Sequence, residues 1–453
     1  NTPKMNRLRS RCIKQVKQLN INLKGSNLKE ENINYKIFDN ELVKTYRQLK
    51  NCWTNLYDEN TTRSYSMNYF SHASNVKKAL IKNVYHTTLG NTIKNVEVAY
   101  EWAGNLKSDK VILVIPSMSF NSHVCETEED PSPGWWSKFI GENSQYGIDA
   151  SKYKILCASN LGSPFGSTSP VSINPETGKI YGPTFPQVTP RDLAAIQNGL
   201  LEHLGIHKLH AVIGGSLGGM IAQHLAADYP EKVKKLVIMC TTPKTRPQTV
   251  ALRRIQRIAI RSDPKYNGGY YDKGEPKKGM VVARELGMRS YRSADEFNQR
   301  FNWTPNIQKG YTLDVEDIVE PIFEVESYLN YNARNFQSVY DANSYLLLSR
   351  CMDMMDISQR YWKFLSSEDF NDQKNEQSEL HYREYFKKSL ELIQAECCII
   401  SSKRDILIPV SESKHLANSL KKLGKFVVHD EIDSIFGHDS FLLDYEVYNP
   451  LMR

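Results

Sequence analysis

No apolar run in this chain approaches the roughly eighteen residues needed to cross a bilayer, so a membrane-spanning segment is not expected. Cysteine is sparse: the eight residues include no Cys-x-x-Cys pair and no Cys/His spacing of the zinc-binding kind. Cys157, Cys240, Cys397 and Cys398 fall in apolar runs, where a thiol behaves as a small hydrophobe. These absences point to a reducing compartment and to no structural metal. Acidic residues are missing from the first 29 positions, and residues 1–50 carry twelve Lys or Arg against four Asp or Glu. The net charge of +7 therefore belongs to the N-terminus, and the rest is close to neutral. A nucleic-acid surface would need basic residues across the folded domain, interleaved with aromatics. None is seen, so nucleic acid is not expected as a partner.

That basic stretch has a pattern of its own. Met5, Leu8, Cys12, Val16 and Leu19 recur at helical spacing beside Arg7, Arg9, Arg11, Lys14 and Lys17. Such a basic amphipathic helix resembles a mitochondrial targeting segment, and it equally suits a partner-binding arm or a solvated surface helix. The start at Asn1 rather than Met leads us to expect that residues have been lost upstream. Mitochondrial and cytoplasmic locations both stay open.

The chain's most informative stretch is a turn. His210 to Met220 reads HAVIGGSLGGM, a Gly-x-Ser-x-Gly pattern centred on Ser216. Ala211 to Ile213 is a short β-prone run before it, and Met220 to Ala227 reads as a helix after it. A strand, tight turn and helix would strain the serine and push its Oγ out over the sheet edge. Gly214 and Gly218 are then required, because side chains there would strike helix and strand. A hydroxyl is a poor nucleophile near neutral pH. The motif therefore needs a histidine to take the proton and a carboxylate to orient it, in the chain order Ser, Asp, His. Asp405 lies just past the apolar run Cys397 to Ser402. His438 follows a short strand expected at Phe426 to His429 and precedes an apolar helix start at Phe441. Singly they have plainer readings, as a turn residue and a loop histidine. Their order and placement after strands make Ser216, Asp405 and His438 the candidate catalytic set.

Longer strings carry a resemblance. They include PGWW at Pro133 to Trp136, NLGSPFGSTSP at Asn160 to Pro170, INPETGKIYGPTFP at Ile173 to Pro186, and RSDPKYNGGYY at Arg261 to Tyr271. GMVVARELGMRSYRS at Gly279 to Ser293 and DANSYL at Asp341 to Leu346 continue the series. With GGSLGGM and GHDSFL they make the chain similar to the homoserine O-acetyltransferase family of the α/β-hydrolase superfamily, which includes serine O-acyltransferases. The resemblance runs from about Asn83 to Asp444, and NLGSPFGS…SP is similar to the eukaryotic branch. Two places depart from the family pattern. The usual His-Ala-Leu-Thr-Gly is Pro116-Ser117-Met118-Ser119-Phe120 here, and Phe120 in place of glycine is expected to narrow the acyl or acceptor pocket. The family's Arg-Phe before Asp341 is Val339-Tyr340, which changes part of the tunnel wall.

The resemblance implies an α/β-hydrolase fold with a mostly parallel central sheet, an inserted helical lid and, here, a basic N-terminal extension. The expected divisions are residues 1–83 for the extension, 84–244 and 393–453 for the core, and 245–392 for the lid. Strands are expected at Asn95 to Trp102, Val111 to Pro116, Lys154 to Ser159 and Lys235 to Cys240. A helix capped by Thr189 and opened by Pro190 is expected through His203. The loop after the second strand is where such folds draw an oxyanion donor, so the Met118 and Leu217 amides are the candidates. By motif, Arg284 and Asp439 would bind the carboxylate and ammonium of a zwitterionic acceptor, with Arg257 as a further tunnel residue. A lid salt bridge is the plain alternative for Arg284, and a helix cap for Asp439.

The activity implied is ping-pong transfer of an acetyl or succinyl group from acyl-CoA, a co-substrate rather than a bound cofactor, to the hydroxyl of L-homoserine or L-serine. A homodimer is expected. An esterase or thioesterase would use the same parts with water as acceptor. A structural subunit of a larger assembly is the reading from another class.

Overall fold

The computed structural model describes residues 76–305, 323–364 and 376–453. The basic helix expected near the N-terminus lies outside the described residues. The rest is organised by an eight-stranded sheet: β1 (Lys77–His86), β2 (Thr92–Gly104), β3 (Val111–Ile115), β4 (Lys154–Ala158), β5 (Ala211–Gly215), β6 (Lys235–Met239), β7 (Glu396–Ser402) and β8 (Val427–Ile432). Their order is β1-β2-β4-β3-β5-β6-β7-β8. β1 runs antiparallel to β2, and β2 antiparallel to β4; every other pairing is parallel. This is the α/β-hydrolase fold, with a mostly parallel sheet.

The central strands are apolar on both faces, as parallel strands covered on both sides must be. Leu113, Val212, Leu236 and Ile238 point into one core, which holds Leu193, Met220 and Leu416. Their neighbours Ile112, Val114, Ile213 and Val237 point into the other, with Trp135, Trp136, Phe139, Phe441 and Tyr448. The period of two along each strand assigns residues to the two layers.

Helices fill the crossovers. α1 (Pro190–His203) begins where expected, with Thr189 and Asp192 forming a reciprocal capping box. α2 (Leu217–Asp228) follows β5, is buried on almost every side, and leads into β6. Between β6 and β7 the described residues hold no strand of the sheet. They form α3 (Pro247–Ser262), α4 (Lys277–Tyr291), α5 (Ala294–Phe301), α6 (Glu324–Val339), α7 (Ala342–Asp353) and α8 (Glu376–Leu392). α9 (Val410–Lys422) joins β7 to β8. None of the described helices is long and apolar enough to cross a membrane.

Some bounds differ from expectation. β1 runs across residue 83, where the extension was expected to end, because it pairs with β2 from Lys77 to His86, with one register shift between Leu80 and Lys82. β8 starts one residue later than expected and runs on to Ile432, in register with β7 throughout. Among the core cysteines, burial pushes the Cys240 and Cys397 thiols up to about 12.

The segment from Phe120 to Phe139 packs its aromatics in a row. Phe120 stacks on Trp135 at 4.9 Å, Trp135 on Trp136 at 5.6 Å, and Trp136 on Phe139 at 4.9 Å. Each pair adds about 0.5–1.5 kcal/mol beyond area burial. Beside them His123 is buried, with Nδ1 2.9 Å from Glu101 and Nε2 2.8 Å from the Ser132 carbonyl. Burial alone would lower the His123 pKa. The Glu101 hydrogen bond, the Ser132 carbonyl and the charges of Glu101 and Asp130 outweigh it and hold the imidazole above its ordinary value.

A folded pKa above the unfolded one means stability that is fully present below about 6.5 and lost as pH rises through the folded value. We expect the melting-temperature gap between the parent and His123→Gln to be widest at mildly acidic pH and to narrow towards alkaline pH. A gap that widens with pH would contradict this assignment of the charged form.

Candidate active site

The carboxyl ends of β3, β5, β7 and β8 open on one side of the sheet, the usual place for ligand chemistry in open α/β sheets. After β5 the chain turns through Ser216 at φ 52° and ψ −120°. A non-glycine residue held there costs about 1–3 kcal/mol, so the surroundings must over-determine it. The Ser216 amide donates to the Met239 carbonyl at 3.0 Å, and Thr241 Oγ1 donates to the Ser216 carbonyl at 3.0 Å. A Cβ on Gly218 would sit 2.2 Å from the Ile115 carbonyl oxygen. One on Gly214 would sit 2.3 Å from the Gly218 backbone. Strand, turn and helix approach too closely at both positions for any side chain.

The structure brings Ser216, His438 and Asp405 together. His438 Nε2 is 3.0 Å from Ser216 Oγ, and His438 Nδ1 is 2.6 Å from Asp405 Oδ2. The other Asp405 oxygen accepts from the Leu407 and Ile408 amides at 2.9 and 2.8 Å, which orients the carboxylate. Asp405 can only accept when ionised, so Nδ1 carries the shared proton and Nε2 is left as the acceptor for the serine hydroxyl. All three residues are under a tenth exposed. His438 rides on a single turn, Gly437–Asp439, and the Tyr291 and Phe441 rings stand 6.1 and 5.9 Å from the imidazole.

The loop after β3 lies beside this turn. Ser117 Oγ donates to the Gly215 carbonyl at 2.9 Å, and Asn160 Nδ2 donates to the Pro116 carbonyl at 2.8 Å. Met118 and Leu217 are both buried. Among the described residues neither of their amide hydrogens has an acceptor. For Leu217, the first residue of α2, that is the normal state of a helix N-terminus. Phe120, expected to narrow the pocket, has its ring stacked on Trp135.

The acceptor candidates separate. Arg284, on α4, is part-buried and donates to Ser119 Oγ at 3.3 Å. Its guanidinium lies 4.2 Å from the Phe336 ring centre and 5.6 Å from that of Tyr291, and Nε is buried with no hydrogen-bond partner. Among the described residues no carboxylate pairs with it. Asp439 heads the short helix Ser440–Leu443 but makes no capping hydrogen bond. It accepts instead from Arg292 Nε at 2.9 Å. Arg257 is committed elsewhere, to Asp353 at 2.6 Å and Ser349 at 2.9 Å, and no hydrogen bond joins it to the serine, histidine and aspartate.

Three residues here were not singled out for a role. Tyr291 stands between Arg284 and His438. Arg292 holds Asp439 and also Glu296; burial would lower its pKa, but Tyr328, Asp439 and Glu296 hold it above the ordinary value. The Tyr340 hydroxyl donates to the Met118 carbonyl at 2.8 Å. The string RSYRS contains the first two, and nothing in its spacing announces partners at positions 438 and 439. Among the described residues no His, Cys, Asp and Glu cluster has an arrangement suited to a metal ion.

A family model described as alpha/beta hydrolase fold matches residues 132–309. The homoserine O-acetyltransferase of Methanococcus vannielii is 37% identical over 359 residues, 78% of this chain and 67% of that protein. The serine O-succinyltransferase of Litchfieldella anticariensis is 36% identical over 370 residues, 80% of this chain and 93% of that protein. The crystal structure of homoserine O-acetyltransferase from Bacillus anthracis matches with a TM-score of 0.71 at 28% identity, covering 83% of this chain and 96% of that one. That of esterase E22 matches with a TM-score of 0.70 at 27% identity, covering 84% and 99%.

The close approach at the turn is directly testable. Gly218→Ala must displace the Ile115 carbonyl and should destabilise the chain by about 1–3 kcal/mol, seen as a lower urea midpoint at unchanged slope. An unchanged midpoint would show that β3 and α2 have room to spare.

Proposed function

The chain belongs to the homoserine O-acetyltransferase family and is an acyltransferase, and from that premise we propose a reaction through an acyl-enzyme on Ser216. The observation that carries it is the buried relay from Asp405 through His438 to Ser216 Oγ. In the first half-reaction Ser216 Oγ attacks the thioester carbonyl of acyl-CoA, and its proton passes to His438 Nε2. The Met118 and Leu217 amides would receive the oxyanion, where fixed donors are worth about 3 kcal/mol each. Collapse expels the CoA thiolate, which takes the proton back. In the second half-reaction the acceptor hydroxyl gives its proton to His438 and attacks the acyl-serine; the bond to Ser216 Oγ breaks, His438 returns the proton to that oxygen, and the O-acyl amino acid is released.

The acceptor would be L-homoserine or L-serine and the donor acetyl-CoA or succinyl-CoA. Arg284 supports an amino-acid acceptor, since a part-buried cation with no paired carboxylate among the described residues suits the acceptor's own carboxylate. Asp439, with one oxygen on Arg292, would take the ammonium through the other. With Arg257 bound to Asp353, its contribution would be to the packing of α3 against α7. Hydrolysis uses the same relay. Relatives more than 30% identical carry transferase names, which favours transfer.

Thiol release should be followed with acetyl-CoA and succinyl-CoA, each with serine and homoserine. Without acceptor, intact-protein mass spectrometry should find one acyl group on Ser216 and none on Ser216→Ala. Arg284→Leu should cost the acceptor half-reaction at least about tenfold while acylation stays within a few-fold, since the 3.3 Å contact to Ser119 is long. An adduct on a cysteine would refute the covalent assignment, and equal damage to both halves the assignment of Arg284.

For the basic N-terminal stretch we propose delivery or assembly rather than chemistry, with mitochondrial delivery first and a partner contact second; the protein would form a homodimer. Removing residues 1–23 should leave turnover within a few-fold and change cellular location or sedimentation. Lost turnover with both unchanged would refute this.

A further inference from the structure

The loop that carries Met118 is held from two sides. On its N-terminal side the ties come from the sheet core: Asn160 holds the Pro116 carbonyl at 2.8 Å, and Ser117 Oγ reaches the Gly215 carbonyl at 2.9 Å. From Met118 onward they come from the helical insert: Tyr340 holds the Met118 carbonyl at 2.8 Å, and Arg284 the Ser119 hydroxyl at 3.3 Å. The short one is the Tyr340 bond. Tyr340 and Met118 are 222 positions apart.

The phenol is rigidly placed. Tyr340 is 4% exposed and follows the last residue of α6. Its ring stacks on Phe336 at 4.7 Å and meets the edges of Phe165 at 5.5 Å and Tyr345 at 6.2 Å. Burial, with the neighbouring Asp341 charge, raises the phenol well above its ordinary value, so the hydroxyl stays protonated and donates. The peptide that carries the Met118 N–H lies between a unit tied to the core at the Pro116 carbonyl and a unit tied to the caged phenol at the Met118 carbonyl, so its rotation is restricted from both ends. Resting on the reading of Met118 as an oxyanion donor, we propose that Tyr340 is a positioning residue for the oxyanion hole: by holding the Met118 carbonyl, on the peptide unit that follows, it restricts rotation of the Ser117–Met118 peptide and so steadies the Met118 N–H, which makes the helical insert part of the acylation machinery.

Tyr340→Phe tests this, because it keeps all three ring contacts and removes only the donor. Three quantities would be measured on parent and variant: the single-turnover rate of Ser216 acylation by acetyl-CoA, the affinity for methylboronic acid, and the acceptor KM. Methylboronic acid mimics the tetrahedral adduct on a serine. Removing an oxyanion donor outright costs about a hundredfold or more, so loosening one should slow acylation by about tenfold. Boronate affinity should fall by a similar factor, with acceptor KM within about twofold. Acylation and boronate affinity at parent levels would overturn the proposal, whether or not the melting temperature falls, since packing alone would then be Tyr340's contribution. A parent enzyme that forms no acyl-Ser216 would instead sink the acyl-enzyme reading, and this inference with it.

Discussion

Everything at this site depends on one crowded approach, where the start of α2 passes the end of β3 with no space for a side chain at Gly218. That contact fixes the angle at which the chain leaves β5, and the angle leaves Ser216 in a backbone conformation it would not choose. The strain is held by one hydrogen bond from Ser216 to the next strand and one from Thr241 to Ser216, which tie the turn to the sheet beneath it. Rigidity is what a weak nucleophile needs. Its partner histidine arrives on a different segment, and two groups meet at 3.0 Å only if neither drifts.

Core and insert divide the work unequally. The sheet ends supply Ser216, Asp405 and His438; Ser216 and Asp405 are tied to backbone, and His438 to their side chains. The insert supplies Arg284, Tyr291, Arg292 and Tyr340, whose contacts reach into that frame through side chains. On the reading argued above, the core carries chemistry common to many acyl-transfer enzymes, and the insert decides what the acyl group meets next. Solved structures of a transferase and of an esterase both match this chain, so the fold leaves the acceptor to be set by the site.

What could be read from the sequence followed range. The turn at Ser216, the Thr189 cap and the strand before Asp405 are each written within about a dozen residues, and each lies where the pattern put it. β1 was harder. Lys77–His86 is mostly exposed, with Leu80 and Val84 on its open side, so its alternation is weak and only pairing with β2 reveals it. The pairs Arg292–Asp439 and Tyr340–Met118 were illegible for another reason. Charge and hydroxyl side chains are common, and the partner of each lies more than a hundred residues away. Two structural alternatives also parted company here: Asp439 caps nothing through its side chain, and Arg284 has no carboxylate among the described residues.

The adjacency of β6 and β7 has a consequence for how the molecule is made. The two strands pair directly, yet residues 240–395 are synthesised between them. While that stretch leaves the ribosome, β6 is an unsheltered margin reading KLVIM, one lysine followed by four apolar residues. Such a margin invites pairing with other chains, and the closing strand is among the last pieces to emerge. The same timing keeps the nascent chain chemically silent. The serine is exported long before the histidine that would activate it, so no half-made copy can consume thioester.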